Sequence, residues 1–128
     1  MSNERIANIK TSLKAFFYRW VEFTKPFHKM NNQQSELLAL LLYNKFLLEK
    51  ETTNPKIMWK ILFDYDSKVK IADEMGIQMG SLENLLSRLR KIGVITKDNQ
   101  ITPHYIPTLE KNAKMFKIVI NLHITDGH

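Results

Sequence analysis

The segment from Glu36 to Lys50 limits what this chain can fold into more than any other. It carries Leu37, Leu38, Leu40, Leu41, Leu42, Phe46, Leu47 and Leu48. Apolar side chains at those spacings cover more than one face of a helix, so the segment reads as a central core helix that other elements must surround. Asn31 marks its start, and Gln34 three residues on can bond back to it as a capping box. Glu51-Thr52-Thr53-Asn54-Pro55 breaks it. Asn54 then caps a short helix with Pro55 at its first position, running through Ile57, Met58, Ile61 and Leu62. A chain of 128 residues is long enough to bury one such core and too short for two.

Composition closes off several alternatives. Apolar residues make up 44% and charged residues 25%, which excludes wholesale disorder. There are no cysteines, so disulfide scaffolds, thiolate metal sites and cysteine nucleophiles are excluded. The longest apolar run, Leu37 to Tyr43, is too short to span a bilayer. No export leader is recognisable, and a cytoplasmic protein is expected (host cytoplasm or assembled particle for a phage-encoded chain). The net charge of +6 favours a polyanionic partner. Its placement is uneven: residues 1–30 hold six basic and two acidic groups, whereas residues 31–69 hold five of each.

Three blocks follow: a basic amphipathic helical arm at 1–30, a central domain at 31–108 and a strand or tail at 109–128. In the arm, a helix is predicted from about Glu4 to Thr24. Ile6, Ile9, Leu13, Phe16, Trp20 and Phe23 recur at three- and four-residue steps on one stripe, and Pro26 disfavours helix at Lys25. The stripe suits packing on the chain's own domain, docking to a partner or second copy, or lying on a membrane surface. In the tail, Phe116, Ile118, Ile120, Leu122 and Ile124 alternate with Lys117, Val119, Asn121 and His123. Period two over Met115 to Thr125 predicts a half-buried strand. It either completes a small sheet within the domain or adds to another chain. Pro103 and Pro107 make the approach to it extended and stiff.

The informative stretch is Lys68 to Pro107. Ser67 or Asp66 can cap a helix covering Val69 to Met75, and Gly76 supplies the left-handed residue that ends it. A turn and a longer helix, from about Met79 to Ile92, follow, with Gly93 as the stop. Ala72, Gly76, Leu82 and Leu85 stand at the spacings of two crossing helices joined by a tight turn. Val94-Ile95-Thr96-Lys97 and Gln100-Ile101-Thr102 are β-prone, and Asp98-Asn99 suits a two-residue hairpin turn. With this pattern, IADEMGIQMGSLENLLSRLRKIGVITKDNQI resembles the winged helix-turn-helix superfamily, and within it small bacterial or phage regulators and replication-initiation proteins. The expected fold is therefore mainly α with a small β part: a winged helix-turn-helix with an N-terminal amphipathic helix and a C-terminal β-strand.

The resemblance implies that the second helix enters the major groove and the wing at 94–102 touches backbone or minor groove. Its exposed face would present Gln78, Met79, Gly80, Ser81, Glu83, Asn84, Ser87 and Arg88. Asn84 can read adenine by two hydrogen bonds, and Arg88 can read guanine or clamp phosphate. Lys70, Arg90, Lys91 and Lys97 become backbone contacts. Gln78 departs from the usual Ser or Thr cap, Met79 is apolar, and Glu83 repels phosphate. The near-neutral helix pair would then draw electrostatic help from Arg5, Lys10, Lys14, Arg19, Lys25 and Lys29.

The function expected first is thus a small double-stranded-DNA-binding protein, dimeric, acting as a transcriptional regulator or replication factor. The alternative is a non-enzymatic structural or adaptor protein of a phage particle or other large assembly. Its partner contacts would be Ile6, Ile9, Leu13, Phe16, Trp20 and Phe23 on the arm and Phe116, Ile118, Ile120 and Leu122 on the strand. His28, His104, His123 and His128 lack metal-ligand spacing. No phosphate-cradling glycine loop exists, and nothing assembles a nucleophile, a base and an orienting group. No enzyme activity, cofactor, metal, membrane or small-molecule substrate is expected.

Overall fold

Helix α2, Asn32–Glu51, is the axis of the fold. The computed structural model describes the backbone of residues 3–25, 29–111 and 116–119, and the side chains of residues 13–25 and 29–107. Around α2 stand α1 (Asn3–Thr24), α3 (Pro55–Leu62), α4 (Tyr65–Met75) and α5 (Met79–Lys91), and all four contact it. The reason is the leucine density: Leu37, Leu38, Leu40, Leu41 and Leu42 are each at most 2% exposed, so no face along this stretch is left to water. Burying one leucine contributes about 1.5–3 kcal/mol, which makes this row the main apolar store of the domain.

The local signals for α2 and α3 act as expected. Asn31 Oδ1 accepts from the Gln34 amide at 2.8 Å, and the Asn31 amide donates back to Gln34 Oε1 at 3.0 Å. Asn54 Oδ1 caps α3 at the Lys56 and Ile57 amides, with Pro55 at its start. The cap of α4 is corrected: Asp64, not Asp66 or Ser67, accepts from the Ser67 amide at 2.8 Å, so the helix begins at Tyr65. Ser67 Oγ instead donates back to the Ile61 carbonyl at 2.6 Å, which fixes the α3–α4 corner. Gly76 ends α4 at φ 69°, in the left-handed region that favours glycine.

Helix α1 packs into the core with a stripe shifted from the expected one. Leu13, Phe17, Trp20 and Val21 are buried, Phe16 is half-buried, and Phe23 is 48% exposed. Trp20 Nε1–H donates to the Tyr105 carbonyl at 2.8 Å, and Lys14 pairs with Glu74 on α4. The side chains of Ile6 and Ile9 lie outside the described residues.

The expected β part is overturned. Residues 94–102 form no strands and hence no sheet wing; a single antiparallel bridge joins Ile95 and Ile101. The backbone donors explain it. The Val94 and Ile95 amides both turn back to the Leu89 carbonyl, at 2.9 and 3.2 Å, closing the end of α5. The Thr102 amide reaches the Val94 carbonyl, and Pro103 then starts one turn of 3-10 helix, Pro103–Tyr105. The turn is not the expected two-residue one either. The Thr96 amide bonds to the Gln100 carbonyl across Lys97, Asp98 and Asn99, with Asn99 at φ 57°.

Among the described residues no C-terminal strand joins that segment: Thr108–Lys111 and Phe116–Val119 pair with each other, antiparallel, as a ribbon of two four-residue strands. Residues 112–115 and 120–128, including Ile120 and Leu122, lie outside the described residues. Among the described residues the architecture is therefore four α-helices around α2, and the winged helix-turn-helix with a terminal strand does not hold. Among the described residues no helix is long and apolar enough to cross a membrane.

Candidate nucleic-acid interface

Helix α5 divides by its own periodicity. Leu82, Leu85, Leu86 and Leu89 are buried, which anchors one face on α2 and α4. Most of the remaining positions face outward, but Arg90 is half-buried and Met79, expected on the exposed face, packs partly against the core. Gln78, Ser81, Asn84, Ser87, Arg88 and Lys91 are all exposed. Ser81, Asn84 and Arg88 stand at i, i+3 and i+7, so they form one row along the helix. The side chains of Gln78, Asn84 and Arg88 make no hydrogen bond or ion pair among the described residues.

The start of α5 is open as well. Gln78 makes no side-chain cap bond, and the first turn carries no acid. Its amides and the positive end of the helix dipole are thus presented to an incoming anion. Arg88, Arg90 and Lys91 lie in the last turn, where they complement the negative end.

Two expected roles change on the structure. Glu83 does not stand as an isolated repulsive charge. Lys68 on α4 donates to it at 3.1 Å, a contact that sequence spacing did not show because the two residues are fifteen apart. Arg90 is half-buried and already engaged. Its Nε and Nη2 donate to Asn99 Oδ1 at 3.1 and 2.8 Å, tying the 96–100 turn to α5. Lys70 on α4, Lys91 on α5 and Lys97 in the turn remain exposed cations around the row.

The arm cations are partly engaged elsewhere. Lys14 pairs with Glu74, and Lys25 donates to Asn32 Oδ1 at 2.7 Å. Arg19 and Lys29 are exposed, while the side chains of Arg5 and Lys10 lie outside the described residues. Of the expected partner contacts, Leu13 and Trp20 belong to the core and Phe23 is outside it; the side chains of Phe116 and Ile118 are not among those described. Among the described residues no group of three His, Asp or Glu side chains is arranged to hold a metal. No family model, curated protein or solved structure matches this chain.

Proposed function

We propose that this chain is a small double-stranded-DNA-binding protein, acting as a regulator or replication factor, that lays α5 in the major groove. The observation that carries the reading is the exposed row Gln78, Ser81, Asn84, Ser87 and Arg88 on a helix whose opposite face is fixed in the core. A helix held in this way offers polar groups at defined spacing without a large ordering cost on binding. Asn84 is the adenine reader and Arg88 the guanine reader or phosphate clamp. Lys70, Lys91 and Lys97 supply sequence-independent phosphate contacts around them.

The assembly alternative loses part of its motive. Leu13 and Trp20, half of the expected docking stripe whose side chains are described, already cover the chain's own core.

The test is a fluorescence-anisotropy titration of random duplex DNA at low and near-physiological salt. Binding that weakens steeply with salt supports phosphate neutralisation. On a selected site, Arg88→Ala and Asn84→Ala should each reduce discrimination by about 1–3 kcal/mol. Absence of duplex binding even at low salt overturns the reading.

A further inference from the structure

A cleft of mixed apolar and polar lining lies between α3 and the 96–100 turn, with a volume of about 460 Å³. That is within the usual range for small-ligand sites, about 300–1,000 Å³. One wall is Lys56, Trp59 and Lys60; the other is Asp98, Asn99 and Gln100. The first three stand at i, i+3 and i+4 on α3, so both ammonium groups flank the indole on one helix face. Neither lysine has an ion pair among the described residues, and both are exposed.

The walls are held in place before any ligand arrives. Lys45 Nζ lies 5.5 Å from the Trp59 ring centroid and is itself fixed by Glu49 at 2.9 Å. Across the cleft, Arg90 holds Asn99 Oδ1 through two hydrogen bonds, which leaves the amide nitrogen of Asn99 as the group free to donate outward. Gln100, exposed beside it, adds a donor and an acceptor.

An indole, two unpaired cations and two amides match the parts of one nucleotide: a base with a π-face and a polar edge, and a phosphate. The acids narrow the choice. Asp64 and Asp98 also line the cleft, although one oxygen of Asp64 already caps α4. Carboxylates there oppose a run of phosphates such as a duplex backbone. They suit a single phosphate on the lysine side, with base amino groups or sugar hydroxyls on the acid side. We propose that this cleft binds one unpaired nucleotide, free or within a single strand, with its base against Trp59 and its phosphate between Lys56 and Lys60. Base–aromatic stacking with flanking cations is the general means of holding unpaired bases.

The full chain is titrated calorimetrically with thymidine 5′-monophosphate and, separately, with a short oligo-dT. Binding of both, or of either alone, supports the proposal and identifies the source of the nucleotide. In Lys56→Ala/Lys60→Ala, that affinity should fall by at least about tenfold, or 1.4 kcal/mol, while duplex affinity changes less than about twofold. Trp59→Leu, with its fold checked by circular dichroism, should lose binding of the same probe. Failure of both probes to bind, or undiminished affinity in the double-lysine variant, overturns the proposal. Neither outcome depends on whether α5 binds duplex DNA.

Discussion

Ser35 sits in the first turn of α2, buried, and its Oγ finds no hydrogen-bond partner among the described groups. A buried hydroxyl without a partner costs about 1–3 kcal/mol in lost hydration. Ser35→Ala should therefore leave the urea midpoint unchanged or raise it; a clear loss would mean that a bound water satisfies the hydroxyl. Arg90 carries the opposite lesson. By sequence it is one more cation at the end of a basic helix, equivalent to Lys91. By structure it donates two hydrogen bonds to Asn99, and Asn99 is the residue that holds the turn at positive φ. Arg90→Ala should destabilise the chain by about 1–2 kcal/mol, against less than about 0.5 kcal/mol for the exposed Lys91→Ala. Equal denaturant midpoints for the two variants would refute that assignment.

Helix starts and stops obey short-range rules, and they were the most legible features at the scale of the element. Asn31, Asn54 and Gly76 all act where their residue types and spacing place them. At Gly76 a Cβ would meet nothing within 4 Å, so Gly76→Ala tests backbone conformation alone. The left-handed geometry should cost about 1–2 kcal/mol in thermal or urea denaturation. A variant as stable as the parent would show that the backbone relaxes there. Asp64, Asp66 and Ser67 are all good caps within one turn, and the choice among them rested on Ser67 Oγ reaching Ile61 across the corner. The β-prone run at 94–102 misled for a related reason. Propensity describes side chains, whereas the Val94 amide was drawn to the Leu89 carbonyl and did not extend the ladder beyond the single Ile95–Ile101 bridge.

Considered as a whole molecule, α1 is part of the core and not a detachable arm from Leu13 onward. Deleting residues 1–27 would remove Leu13, Phe17, Trp20 and Val21 together, and the expected result is loss of cooperative unfolding. Retention of a two-state transition by the truncated chain would contradict this. The charge map sets a second global expectation. With Lys70, Arg88, Lys91 and Lys97 as the phosphate contacts, the log–log salt slope for duplex binding should be roughly −3 to −4. A slope near zero would remove these residues from the interface. Tyr18 sets a third. Burial, then the carboxylates of Glu36 and Glu74, raise its hydroxyl above the ordinary value of 10.0. The folded chain keeps a proton that the unfolded chain releases, so this contribution is intact below pH 10.0 and is lost as pH rises through the folded value. Tyr18→Phe should flatten the alkaline fall of the urea midpoint; an unchanged fall would assign it to other groups.

The sequence by itself determined that a leucine-dense helix must be enclosed, where α2 and α3 begin and α4 ends, and which face of α5 is apolar. Those are consequences of periodicity and capping, and each acts over a few residues. Only the tertiary structure decided that Phe17 and Val21 are buried in the core, with Phe16 at its margin and Phe23 outside it. The same holds for Lys68 and Glu83, which compensate each other fifteen residues apart, and for Arg90, which holds a turn. It also decided that α3 and the 96–100 turn meet as the walls of one cleft. Each of these depends on which distant groups become neighbours, and that is fixed by packing around α2.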